Sequence, residues 1–417
     1  MTGSDNTLYS APENSNGPFL RRMRIRNYKS IGKCEVDLAR VNVLVGRNGS
    51  GKSNFLDALS FVVDSLQTSL DHAVKSRGGI DAVRRRSTGH PRNFAIELQL
   101  DLPNFRTVTY GFEIAARGQG KFIVKYEVLR ISDLSNSDKA YYEVRDGKLC
   151  GSSAKVTPPV MPDRLSLVTM SNLPEFRTVY DALFSMGFYN LNPDIMKKLQ
   201  SPDAGELLHR DGSNIAGVIG RIREARPLQF DRIKAYLAVI VPGITEVNRI
   251  SLGPSETLEF KQQVKGAKAP WTFYANNMSD GTLRALGALV AVTQVADRKL
   301  PVCLVGIEEP ETALHPAAAG ALVDALREAA EHTQIIITCH SPDLLDRFDP
   351  ETESLLVVTA REGNTQIATI DPASKNAIKT HLYSPGELLR MDQLEPDVRE
   401  LKRQQQMKLF DTDEDDE

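Results

Sequence analysis

No stretch of this chain is long and apolar enough to span a membrane. The longest apolar run, Ala285 to Ala296, is interrupted by Thr293 and Gln294 and flanked by Arg284 and Asp297. That is short of the ~20 residues a spanning helix needs. Neither sign of charge dominates. Lys+Arg number 51 and Asp+Glu 54, a formal net charge of -3, which excludes a histone-like binder and leaves room for a local basic patch. Cysteine is scarce: Cys34, Cys150, Cys303 and Cys339 include no CxxC pair. Buried free thiols in a reducing compartment are expected, not a disulfide framework. The seven histidines are scattered, without HExxH or a Cys/His cluster, so no structural zinc site is expected. The opening MTGSDNTLYSAPENSNG lacks the apolar core of a secretory leader. These absences point to a cytoplasmic protein. What is present is globular in proportion: 41% hydrophobic and 25% charged residues over 417 positions suffice for two or three domains with a sizeable core.

The texture changes along the chain. Residues 1–20 hold Ser, Asn, Gly and Pro without periodicity and read as a disordered lead-in. From Met23 apolar and polar residues alternate, closing on the apolar run Val41 to Val45, which predicts strands ending in a buried one. Asn54 to Leu66 places Phe55, Ala58, Leu59, Val62 and Leu66 on one helical face. Alternating runs near 94–100, 107–114 and 122–130 predict an antiparallel sheet. Residues 21–130 thus read as an N-terminal lobe. Residues 131–255 carry short helical stretches and many prolines, and read as a mostly helical insertion. Over 256–370 a helix at 281–297, a strand at 302–307, a helix near 316–331 and a strand at 334–338 predict a parallel α/β arrangement and a C-terminal lobe. Residues 371–417 form an extension whose last seven, DTDEDDE, carry six acids.

Gly46-Arg47-Asn48-Gly49-Ser50-Gly51-Lys52-Ser53 fits GxxxxGK[ST], follows an apolar strand and, from Asn54, opens an amphipathic helix. The glycines let backbone N–H groups turn inward around phosphates, and the helix N-terminus adds positive potential. Lys52 is placed to reach the β- and γ-phosphates of ATP, and the Ser53 hydroxyl to take a position on Mg²⁺. Val302 to Ile307 is an apolar strand running into Glu308-Glu309-Pro310-Glu311, and ligands of parallel sheets bind beyond the carboxyl ends of strands. Glu308 is read as the Mg²⁺ acid and Glu309 as the residue that polarises the attacking water. Glu311 is read as a turn residue. His340 follows the apolar strand Gln334 to Thr338 and is placed to bond a γ-phosphate or the attacking water. Met278-Ser279-Asp280-Gly281-Thr282 precedes an apolar helix. Ordinary N-capping explains Ser279; the same geometry, with the Gly281 N–H, also makes an anion site.

In this order the motifs resemble the ABC-type ATPase heads of the RecF/SMC/Rad50 and OLD-like group, and in particular stand-alone bacterial AAA family ATPases described as SMC-like. RIRNYKSIGKCEVDL running into NVLVGRNGSGKSNFLDAL, IEEPETALHP and ITCHSPDLLD carry the likeness, over roughly 21–130 and 256–360, with LLHRDGSNIAGVI as an echo inside the insertion. The resemblance implies an α/β, P-loop NTPase head with a mixed or parallel sheet, an antiparallel β-subdomain and an inserted helical region. It implies that Gly46 to Ser53 is the Walker A loop and that Ser279 to Gly281 is the signature. Glu308 is then the Walker B acid, Glu309 the catalytic acid, Thr312 to His315 the loop at a dimer interface, and His340 the switch histidine. Two departures stand out: the Walker B acid is Glu where Asp is usual, and Asp280 replaces a Gly. Asp280 is expected to cap its helix or bond the dimer loop. A Q-loop glutamine is not assigned, Gln99 being one option. About 55 residues follow the last motif strand, too few for a nuclease domain, so a nuclease is expected on a separate chain.

The expectation is an ATP-dependent homodimer acting as a clamp or sensor on DNA, in repair or in defence against phage. The alternative is an ATP-gated scaffold that holds and releases a separately encoded nuclease or toxin. Arg77, Arg84, Arg85, Arg86 and Arg92 form the basic cluster available for DNA.

Overall fold

The computed structural model describes residues 17–87, 91–103, 106–133, 135, 137–294 and 302–410. The chain opens with β1 (Phe19–Tyr28), β2 (Ile31–Asp37) and β3 (Val41–Val45), then α1 (Lys52–Gln67), α2 (Leu70–Lys75) and α3 (Ile80–Val83). Five strands follow: β4 (Asn93–Leu102), β5 (Arg106–Ala116), β6 (Phe122–Ser132), β7 (Asp138–Arg145) and β8 (Lys148–Ser152). Next come α4 (Leu167–Met170), α5 (Pro174–Phe184), β9 (Gly187–Tyr189), α6 (Pro193–Met196), α7 (Ile215–Ala225) and α8 (Pro227–Ile240). A hairpin-linked trio, β10 (Ile244–Leu252), β11 (Ser255–Gln262) and β12 (Trp271–Tyr274), leads into α9 (Asp280–Thr293), β13 (Leu304–Glu308), α10 (Ala319–Ala330), β14 (Gln334–Cys339) and α11 (Pro342–Leu345). The chain ends in β15 (Ser354–Arg361), β16 (Asn364–Thr369), α12 (Pro372–Lys379), α13 (Pro385–Arg390) and α14 (Val398–Gln405).

One sheet organises the molecule, in the order β8-β7-β6-β5-β4-β1-β2-β16-β15-β3-β14-β13-β9. From β15 through β9 the neighbours β15, β3, β14, β13 and β9 run parallel. From β8 to β2 every pair is antiparallel. The halves meet where β16 touches β2 at the single pair Thr365↔Ile31. The parallel strands are covered on both faces, so they read as largely apolar runs, with the buried Asn42 of β3 bonded to Ala39. Their two-residue period still sorts them. Val43, Val45, Ile335, Ile337, Val305 and Ile307 face a core built with α7 to α10. Leu44, Ile336 and Leu304 face the opposite core, built with α1, α5 and the antiparallel strands. The second face of the antiparallel half carries a small core where Met407, Leu409 and Phe410 of the C-terminal segment pack on Ala95, Tyr126 and Val128, and beside it charge pairs replace apolar packing. Arg22 pairs with Asp37, Arg24 with Glu35 and Glu97, and Arg26 with Glu113, a ladder across four strands.

Three expectations are adjusted. The lead-in is shorter than 1–20, because Phe19 and Leu20 are fully buried in β1; residues 1–16 and the acidic tail 411–417 lie outside the described residues. Within 131–255, expected to be mostly helical, α4 to α8 are interrupted by β9. The flanks of this stretch are strands: β7 and β8 extend the antiparallel half, and β10 starts a separate three-stranded sheet. Cys34, Cys303 and Cys339 are buried free thiols, but Cys150 is exposed.

Candidate nucleotide site

The loop after β3 is shaped by steric necessity. A Cβ on Gly46 would lie 2.1 Å from Val358 O, and one on Gly51, at φ +105°, would lie 2.1 Å from the Thr365 hydroxyl. Only glycine fits at either position. Thr365 Oγ1 donates to Ser50 O at 2.9 Å and lies 2.6 Å from Ser30 Oγ, which accepts from Asn54 Nδ2 at 2.6 Å. The loop is thus pinned to both halves of the sheet. Helix α1 starts at Lys52 with no side-chain cap and no acid in its first turn, so its leading N–H groups are available to an anion. Ser50 Oγ is buried without a partner. Lys52 is 4% exposed, and its ammonium donates to Gly46 O at 2.8 Å and Arg47 O at 3.1 Å. Burial lowers the Lys52 pKa, against the opposing pull of Glu309, Cys339 and Glu311. A buried cation bound to loop carbonyls, an orphan hydroxyl and an uncapped helix start fit a polyphosphate. Arg47, Asn48, Gly49 and Ser53 are exposed around the rim.

Strand pairing brings the other residues alongside. Glu308 is opposite Thr338, and Cys339 opposite Val45, so Gly46, Glu309 and His340 leave the sheet from adjacent carboxyl ends. Glu309 has φ +42°, a left-handed conformation unusual for a carboxylate. Its N–H donates to Thr338 O and Oγ1 at 3.2 and 3.0 Å, which holds the strained residue at the end of β13. His340 Nδ1 lies 3.5 Å from Glu309 Oε1.

Ser279 is an exposed N-cap of α9, accepting from Thr282 N–H at 3.2 Å. A Cβ on Gly281 would lie 2.1 Å from Ala313 O, so glycine lets the turn after Glu309 pack directly on the start of α9. Asp280 sits in the first turn of α9 and pairs with Lys197, not with the 312–315 loop. In that loop Thr312 Oγ1 donates to Glu309 Oε2 at 3.4 Å, and His315 caps a single 3-10 turn.

The structure adds residues that sequence reasoning passed over. Arg210, in the segment alongside β9, donates to Ser60 Oγ at 3.2 Å and lies 3.6 Å from Glu308 Oε1. Glu311, read as a turn residue, is 6% exposed and accepts the His340 backbone N–H at 3.1 Å. The basic cluster is partly dissolved: Arg77 points inward to Asp57 at 2.9 Å and Asp64 at 2.7 Å, and Arg84 pairs with Asp81. Arg86 and Arg92 stay exposed. Gln99 lies within β4 and donates to Glu97, away from the phosphate loop. Among the described residues no group of three or more His, Cys, Asp or Glu could hold a metal by itself. No described helix is long and apolar enough to cross a membrane.

A mixed sheet whose parallel carboxyl ends carry a phosphate loop, paired acids and a histidine defines a P-loop ATPase head of the ABC type. The chain belongs to the RecF/RecN/SMC N-terminal domain family, which matches residues 19–366, a family of nucleotide-binding ATPases. Among curated proteins it is similar to the endonuclease GajA of Bacillus cereus (strain VD045), 22% identical over 389 residues, 87% of this chain and 60% of that protein. It is also similar to structural maintenance of chromosomes protein 3 of Arabidopsis thaliana, 29% identical over 148 residues, 31% of this chain and 12% of that protein. It therefore spans less than two thirds of either relative. Among solved structures, the SMC head bound to the C-winged helix domain of ScpA has a TM-score of 0.52 at 16% identity, covering 86% of this chain and 99% of that one. A second, the SMC head with an extended coiled coil bound to the C-terminal domain of ScpA, derived from Pyrococcus furiosus, has a TM-score of 0.52 at 14% identity, covering 88% and 99%. At these identities the likeness is one of fold.

Proposed function

We propose that this protein binds and hydrolyses ATP at the Walker A loop and closes into a homodimer while the nucleotide is intact. The observation that carries the reading is the convergence of the buried Lys52, Glu308, Glu309 and His340 on neighbouring strand ends. Lys52 and the N–H groups from Gly46 to Asn54 hold the phosphates. Ser53 and Glu308 would hold Mg²⁺, with phosphate oxygens completing the set. Bound Mg²⁺ supplies charge neutralisation on the phosphates. Glu309 orients and polarises water, and His340 senses the γ-phosphate.

The exposed Ser279 cap stands at the start of α9 with the Gly281 N–H in the same first turn, which suits a partner's γ-phosphate. Closing a helix N-terminus on that phosphate is favourable only while the phosphate is present, so hydrolysis loosens the dimer. The named functions of the relatives, an endonuclease and a chromosome-maintenance protein, support DNA as the ligand and a role in repair or defence against phage. The test is mass measurement with ATP and Mg²⁺, with and without DNA, on wild type and Glu309→Gln. The variant is expected to bind ATP, lose turnover and remain dimeric. Wild-type turnover in Glu309→Gln, or a wild type that is monomeric under every nucleotide condition, refutes the reading.

A further inference from the structure

Two buried polar atoms beside the proposed catalytic acid have no hydrogen-bond partner, and they belong to facing residues: Glu311 Oε2 and His340 Nδ1. Glu311 is almost fully buried, in a turn whose far end, Ala313, is exposed. Glu311 Oε1 accepts the backbone N–H of His340, just past the end of β14, at 3.1 Å. His340 Nδ1 lies 3.5 Å from Glu309 Oε1 and 3.6 Å from Glu311 Oε1. Both separations are slightly long for a hydrogen bond, and they are nearly equal. A small turn of the ring closes one contact or the other. The two choices differ chemically. If Nδ1–H bonds Glu309, it occupies an oxygen of the group proposed to polarise water. If it bonds Glu311, Glu309 stays free, and Nε2 is left for a ligand.

We propose that Glu311 is a positioning residue for ATP hydrolysis: it anchors the His340 backbone and accepts Nδ1–H, so that the imidazole does not compete for Glu309. This rests on the proposed function above. Buried Glu127 shows what a carboxylate that keeps only the fold looks like, with both oxygens bonded to backbone N–H groups. Glu311 bonds the His340 N–H through one oxygen and leaves Oε2 without a partner beside the equally unpartnered His340 Nδ1.

The test is steady-state ATP hydrolysis and thermal melting of the full chain, comparing wild type with Glu311→Ala, Glu311→Gln, His340→Ala and the Glu311→Ala/His340→Ala double variant. Glu311→Met, which fills the same space without an oxygen, replaces Glu311→Ala in each comparison if the alanine variant does not fold. The expected result is a kcat loss of at least about tenfold in Glu311→Ala, with KM for ATP within roughly twofold of wild type. Glu311→Gln keeps an acceptor for the His340 N–H and recovers most of that loss. Once His340 is absent, removing Glu311 costs less than about twofold more, because the two act as one unit. Losses that multiply in the double variant overturn the proposal, as does wild-type kcat in Glu311→Ala or a Glu311→Gln no faster than Glu311→Ala. A wild type without ATP turnover overturns the proposed function itself. Turnover that Glu309→Gln abolishes and Glu311→Ala leaves intact overturns this inference alone.

Discussion

Replacing Gly281 by Ala tests whether the start of α9 and the turn after Glu309 work as one unit. The added Cβ would lie 2.1 Å from Ala313 O, 2.8 Å from Ala313 C and 3.3 Å from Leu314 N. A carbon and a carbonyl oxygen come to rest at about 3.3–3.6 Å, so about 1.2 Å of relief is required. Backbone lies on both sides, and no flexible side-chain end can yield. Overpacking of this kind costs about 1–3 kcal/mol. The functional effect is expected to be larger, because Ala313 already has φ +65° and the same turn carries Glu309 at φ +42°. A misplacement of about 1 Å near the reacting groups costs roughly 10²-fold in rate. The assay pairs ATP turnover with the thermal midpoint. Gly320→Ala is the control: its Cβ meets nothing within 4 Å inside α10, so it should be neutral or stabilise by about 0.5–1 kcal/mol. A Gly281→Ala protein with wild-type turnover and midpoint would refute the packing argument.

Further predictions concern charge. Asp57 is buried, which by itself raises its pKa, but Arg77 and Lys29 outweigh burial and hold it below the ordinary 3.8. Its contribution to stability is therefore present above that value and lost as pH falls through the lowered one. Asp57→Asn should cost about 1.5–3 kcal/mol at neutral pH by removing one of the two carboxylates that hold Arg77, which keeps Asp64 at 2.7 Å, and the gap from wild type should shrink below pH 3.8; a gap independent of pH would count against the assignment. If the protein binds DNA through the exposed cluster, Arg86→Ala and Arg92→Ala should each flatten the salt slope of affinity by about 1. Arg77→Ala should lower the thermal midpoint and leave that slope alone. An unchanged slope in Arg86→Ala/Arg92→Ala removes this surface from consideration.

Much of the head was legible because its signals are local. The phosphate loop is one contiguous motif, and the apolar runs of β3, β13 and β14 announce strands buried on both faces. Other features depended on signals that were present but weighed too lightly. Asp146-Gly147 joins β7 to β8 with φ of +47° and +71°, the two-residue hairpin turn that an Asp-Gly pair predicts. The prolines that follow drew 138–152 into a helical reading instead. Asp57, Ser60 and Asp64 recur at helical spacing on α1, a polar stripe to which Arg77 is bonded. Arg210 and Glu311 were not legible. Their partners lie 150 and 29 positions away, and only the parallel strand order brings them together.

The junction between β16 and β2 has a mechanical consequence. Two large blocks of sheet share one ladder pair there, Thr365↔Ile31, backed by Thr365 N–H to Ser30 O and by Gln404 Nε2, which donates to both Glu35 O and Ile367 O. Thr365 is also the residue that clasps Ser50 and touches Ser30. Any flexing of the blocks against each other therefore loads the loop that grips the phosphates. Seam and ligand-gripping jaw thus share one side chain, and a shift of the antiparallel blade reaches Gly51 through Thr365.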